Sequence, residues 1–75
     1  MQVNTVVYKG SDWFLKVHTM LAQYQGKGKY YTCCSVRFNS GASIALLSTY
    51  TKSEETAINM HKEICLRAKA LFDLK

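Results

Sequence analysis

The sequence predicts an α+β fold: an antiparallel sheet of three or four strands packed on one long C-terminal helix. Three observations carry that prediction. Ala57, Ile58, His61, Ile64, Cys65, Ala68, Leu71 and Phe72 recur at spacings of three and four residues, which places them in one stripe of a helix. Ahead of them, YYTCCSVRF (30–38) and ASIALLSTY (42–50) alternate with a period of two on either side of the turn signal NSG (39–41), the pattern of a β-hairpin. The chain has 75 residues, no proline and four glycines, so long irregular loops have little place in it. A single domain, residues 1–75, is expected.

Taken in order, TVVY near the start reads as a short strand. The next segment, SDWFLKVHTMLAQYQGKG, admits two forms. As a helix it gathers Trp13, Phe14, Val17, Met20, Leu21 and Tyr24 on one face, with Ser11 as cap and Gly26 as stop; residues 11–25 would then be a first helix in a βαββα order. As a strand it puts Trp13, Leu15, Val17, Thr19 and Leu21 on one face and Lys16 and His18 on the other. The strand is preferred: GKG suits a hairpin loop, and a meander covers the final helix better than a bare hairpin does. In the following strand Tyr30, Thr32, Cys34, Val36 and Phe38 face the helix, and Tyr31, Cys33, Ser35 and Arg37 face away. In the last strand, strict alternation sends Ala42, Ile44, Leu46, Ser48 and Tyr50 to the helix and Ser43, Ala45, Leu47 and Thr49 outward. The helix is expected over about residues 52–73, started by either of two caps, Thr51 with Glu54 or Ser53. Glu54 and Glu55 near its start, and Arg67 and Lys69 late in it, suit the helix dipole.

Charge is unevenly placed. Residues 1–50 hold Lys9, Lys16, Lys27, Lys29 and Arg37 against Asp12 alone, a net +4 of the total +5. That excess attracts phosphate or an acidic protein surface. No apolar run approaches the about 20 residues needed to cross a bilayer, and the N-terminus lacks the features of a signal peptide. Three cysteines cannot all pair within the chain, and adjacent Cys33 and Cys34 would close a strained ring. Reduced thiols in a cytoplasmic protein are the expectation.

Candidate chemistry is sparse. His61, Cys65 and Cys34 would offer a zinc ion three ligands where about four are needed, and C-x-x-C spacing is absent. His61 is instead expected to be a core histidine bonded to a strand group, with no metal or cofactor. The carboxylates Asp12, Glu54, Glu55, Glu63 and Asp73 form no pair with a base in an apolar pocket. The expectation is a non-enzymatic binding protein without catalytic residues. Its leading partner class is a protein, held by Met20, Tyr31, Cys33, Arg37 and Leu47 on the outward sheet face, where tyrosine, methionine and arginine suit an interface. The alternative is nucleic acid, held by Lys16, Lys27, Lys29, Tyr30 and Arg37, with lysines on phosphate and tyrosines stacked on bases. A homodimer through an exposed patch or a strand edge would enlarge a small core.

The segments VHTMLA, KYYTCCSVRF and STYTKSEETAINMH together resemble small phage-encoded proteins in which a strand meander precedes a C-terminal helix. Thr19 and Thr32 match their central strand threonines, and Glu54, Glu55, Ala57 and His61 match their helix start, with the acid–alanine spacing departing by one residue. The resemblance covers about two thirds of the chain. It implies a compact α+β fold, a phage or mobile-element origin, and a binder that inhibits a host or defence protein. AP2-like DNA-binding domains share the three-strand-plus-helix layout, but the arginine- and tryptophan-rich strands that read DNA there are missing here.

Overall fold

The computed structural model describes residues 2–22 and 29–73. Four strands, β1 (Gln2–Lys9), β2 (Trp13–Leu21), β3 (Tyr30–Phe38) and β4 (Ser43–Thr51), precede one helix, α1 (Glu54–Asp73). The strands form an antiparallel meander in the order β1-β2-β3-β4, so β1 and β4 are the edges. The α+β architecture is as the sequence predicts, with four strands. Residues 13–21 are a strand, not the first turns of a helix. The reason is visible in the burial. Leu15, Val17 and Thr19 are almost fully enclosed while Lys16 and His18 between them are not, and only a period of two satisfies that pattern.

The turns follow local chemistry. At the β3–β4 hairpin Gly41 N–H donates to the Phe38 carbonyl and Phe38 N–H donates to the Ala42 carbonyl, each at 2.9 Å. Gly41 takes φ = 96°, a left-handed conformation that glycine adopts without steric cost. Between β1 and β2 the Trp13 ring closes over Gly10, where an added Cβ would lie 2.6 Å from Nε1. The same ring stacks on Tyr8 with centroids 5.4 Å apart. Ser53, not Thr51, caps α1: its Oγ accepts from the Thr56 N–H at 3.1 Å, and Thr51 is instead the last residue of β4. Residues 23–28, where GKG is expected to form a hairpin loop, lie outside the described residues; Ala22 N–H donates to the Lys29 carbonyl beside them.

The core lies between α1 and the middle of the sheet. Leu15, Val17, Cys34, Ile64 and Ala68 are its buried cluster, and burying each large apolar side chain contributes about 1.5–3 kcal/mol. Ala57 and Ala68 bring the helix backbone close to the strands. Leu71, expected in the buried stripe, is 71% exposed at the far end of the helix.

Two β-bulges alter the phase of the edge strands. Val6 pairs with Lys16 and Tyr8 with Leu15, leaving Val7 as the extra residue in β1, and Val7 packs on the core. Cys34 pairs with Leu47 and Ser35 with Ala45, leaving Leu46 extra in β4. Because the side-chain period is two, one inserted residue reverses every later face. The alternation expected for β4 therefore holds from Ser43 to Leu46, which lines the helix-side groove, and fails from Leu47 on. Leu47 and Thr49 turn to the helix side, where they line a groove with Leu15, Cys34 and Ile64. Ser48 and Tyr50 turn outward, opposite Cys33 and Tyr31.

Candidate functional site

The helix-free face of the sheet is assembled from four cross-strand rows. Gln2, Met20, Tyr31 and Tyr50 form one, and Asn4, His18, Cys33 and Ser48 the next. Val6, Lys16, Ser35 and Ala45 form the third, and Lys9, Phe14, Arg37 and Ser43 the last. Small side chains in the middle, Cys33, Ser35, Ser43 and Ala45, leave a shallow dish of about 250 Å³, walled by Tyr31, His18, Lys16 and Arg37. Tyr31 and Tyr50 lean on one another at one end, centroids 5.1 Å apart and planes tilted by 54°. The small residues create the depression, and the long ones surround it.

Electrostatically this face carries one sign. Lys9, Lys16 and Arg37 stand on it, while Asp12 lies between β1 and β2 and Glu54, Glu55 and Glu63 lie on α1. None of the residues in the four rows is a carboxylate. Glu63 is already engaged with Arg67, one turn on, at 2.7 Å. His18 responds to its setting. Burial first, then Lys16 and Arg37, hold its imidazole below the ordinary value of 6.5, so the ring is neutral near pH 7. Its Nδ1–H donates to Asn4 Oδ1 at 2.5 Å, which leaves Nε2 as the basic nitrogen. The Tyr31 phenol is pushed up, by its contact with the Cys33 thiol and then by burial, and stays protonated.

Of the residues expected to hold a protein partner, the sheet gathers Met20, Tyr31, Cys33 and Arg37 on this face. Leu47 is the exception. The bulge at Leu46 carries it to the opposite side, against Cys34. Of the residues expected to hold nucleic acid, Lys16 and Arg37 meet at the dish. Tyr30 does not join them, because it pairs with Leu21 and Thr51 in a row on the helix side. Lys29 is exposed just before β3, and Lys27 lies outside the described residues. The alternation already places His18 and Ser35 on this face, although neither was named as a binding residue. Sequence reasoning missed Phe14 and Tyr50: Phe14 was legible from the alternation once β2 is a strand, and Tyr50 was hidden by the bulge.

The other groups with chemical potential are engaged inside the core. His61, 6% exposed, joins Thr5 Oγ1 through Nε2 at 2.9 Å and Thr19 Oγ1 through Nδ1 at 2.7 Å. Thr19 Oγ1 also meets Thr32 Oγ1 at 2.8 Å. His61 is thus the core histidine tied to strand groups that the helix stripe implies. Burial lowers its pKa, with a smaller push from His18, and a neutral ring satisfies both neighbours in either tautomer. Burial raises the Cys34 and Cys65 thiols, which keeps them protonated and poorly nucleophilic. Among the described residues no three His, Cys, Asp or Glu side chains are grouped to hold a metal ion, and no helix is long and apolar enough to cross a membrane. Comparison of the chain with family models, curated proteins and solved structures found no match.

Proposed function

We propose that this is a small non-enzymatic protein that binds single-stranded nucleic acid across the helix-free face of its sheet. The observation that supports this most is the composition of that face: Lys9, Lys16 and Arg37 stand among Phe14, Tyr31 and Tyr50, with no carboxylate in its four rows. Cations at this spacing hold phosphates, and rings on a flat sheet offer bases a surface for stacking. The dish between them accommodates a group that neither interaction claims. The bulge matters to this choice. An apolar protein contact on the same face would have leaned on Leu47, and Leu47 is turned to the helix side.

A second reading is an acidic protein surface in place of nucleic acid. Met20 favours it: the side chain is 37% exposed beside Tyr31, and methionine next to tyrosine suits a protein interface. Inhibition of a host or defence protein, the role the phage-protein resemblance implies, would use these same residues.

Fluorescence anisotropy with a labelled, unstructured oligonucleotide tests the first reading. Two or three phosphates neutralised by Lys9, Lys16 and Arg37 give log K a slope of roughly −1.4 to −2.1 against log salt, at about −0.7 per contact for single strands. Lys16→Gln with Arg37→Gln abolishes most of that slope. Absence of binding at low salt removes the nucleic-acid reading, and recovery of an acidic protein that Lys16→Gln/Arg37→Gln fails to bind establishes the second.

A further inference from the structure

We infer that the β4 edge and the groove beside it form a homodimer interface, in which β4 pairs antiparallel with β4 of a second copy. The helix is displaced toward the β1 side of the sheet. There it closes the core down to a recess of about 80 Å³ beside Lys62. On the β4 side it leaves a groove of about 560 Å³, lined by Leu15, Leu46, Leu47, Met60, Ile64 and Leu71 among others. Ser43 to Ser48 are exposed, and Ile44, Leu46 and Leu47 expose half or more of their surface in an edge strand.

Charge selects a second copy as the occupant. The edge segment SIALLSTYT holds no charged residue. The two charges on the groove rim, Glu63 and Arg67, are of opposite sign and joined at 2.7 Å. In a chain of net charge +5, with three cations on the helix-free sheet face, this uncharged edge and neutral groove let two like molecules meet without opposing cations. A strongly acidic or basic partner would find nothing here to pair with. Uncharged apolar edges are also the ones that pair with another strand; the bulge at Leu46 divides this edge into two short stretches, residues 43–45 and 47–51.

The geometry closes. A two-fold axis perpendicular to the sheet brings β4 antiparallel to its copy and makes one eight-stranded sheet from two sheets of four. Both helices then lie on one side. The two grooves merge across the seam, and Leu46, Leu47 and Leu71 of each copy fill them, an isologous contact that needs no further subunit. The two cationic faces become continuous on the other side. That last consequence rests on the proposed function; the dimer does not, and its test uses no ligand.

Sedimentation equilibrium of the whole chain reads the result directly. The expected particle mass is twice the 8.5 kDa chain, falling to one chain on dilution. Leu46→Lys raises the dissociation constant at least tenfold while the far-UV circular dichroism of the folded chain is kept. Because that variant could unfold, amide hydrogen exchange on the unaltered protein provides a second reading. Outward-pointing β4 amides are protected at high concentration and lose protection on dilution, whereas β1 edge amides exchange freely throughout. A monomer at every concentration, a dimer indifferent to Leu46→Lys, or β4 amides that exchange as fast as those of β1 would each overturn the inference.

Discussion

Removing the Thr19 hydroxyl should cost this protein a large part of its stability, and removing its partners as well should return much of the loss. Thr19 is 0% exposed and Thr32 1%. Its Oγ1 lies between His61 Nδ1 at 2.7 Å and Thr32 Oγ1 at 2.8 Å. Thr19→Val keeps the shape and the β-branch but strands two buried polar atoms. At about 1–3 kcal/mol for each of the two orphaned groups, the expected loss is roughly 2–6 kcal/mol. A chain of 75 residues carries roughly 4–11 kcal/mol in all, at about 0.05–0.15 per residue. The triple variant Thr19→Val/Thr32→Val/His61→Leu removes the stranded groups. Only Thr5 then loses its ring partner, and Thr5 is half-buried, so its hydroxyl can turn to water. The triple variant should therefore be more stable than Thr19→Val alone. Urea unfolding followed by Trp13 fluorescence and by circular dichroism measures both. Losses that simply add across the three sites, or a Thr19→Val change below about 0.5 kcal/mol, an ordinary surface effect, would refute the network.

Acid should weaken the fold through His61. Its folded pKa lies below the ordinary 6.5, so the unfolded chain binds the proton first. Through this group stability is unaffected above about pH 6.5 and falls below it by at most about 1.4 kcal/mol per pH unit until the folded pKa is reached; urea midpoints at pH 7.5 and 5.5 compare the two sides, and His61→Leu should shrink the difference, leaving the part that His18, also held below 6.5, contributes. His18 should act in the opposite sense on binding. Protonation below pH 6.5 adds a cation beside Lys16 and Arg37, so oligonucleotide affinity rises with acid in the unaltered chain and not in His18→Gln, as read by anisotropy at constant salt. Gly10→Ala should cost about 1–3 kcal/mol, the usual penalty for overpacking, because the new methyl displaces the Trp13 ring; a shift in tryptophan emission would accompany it. Among the described residues the buried Thr51 Oγ1 has no hydrogen-bond partner, so Thr51→Val should stabilise by about 1 kcal/mol, the size of one relieved desolvation penalty.

Much of this arrangement was legible in the residues because burial imposes a period. Cys34 inward and Cys33 outward follow from the alternation of β3 alone, and His61 falls on the helix stripe by counting threes and fours. The segment around Val17 was ambiguous because Trp13, Val17 and Leu21, four residues apart, suit one face of a helix and one face of a strand alike. What decided it was tertiary: β2 is an inner strand with β1 on one side and β3 on the other. The reversal within β4 left no signal. SIALLSTYT has apolar residues at adjacent positions, so either phase offers the helix a leucine, and the extra residue Leu46 can be placed only from the pairing with β3. That single residue moved Leu47 from the expected contact face into the groove, and Tyr50 the other way.

The most direct test of the binding face is a titration of isotopically labelled protein with a short unstructured oligonucleotide, followed by backbone amide shifts. The account predicts perturbations centred on Lys16, His18, Met20, Tyr31, Cys33 and Arg37 that shrink as salt is added. Perturbations centred on α1 or on the β4 edge, or none at low salt, would contradict it.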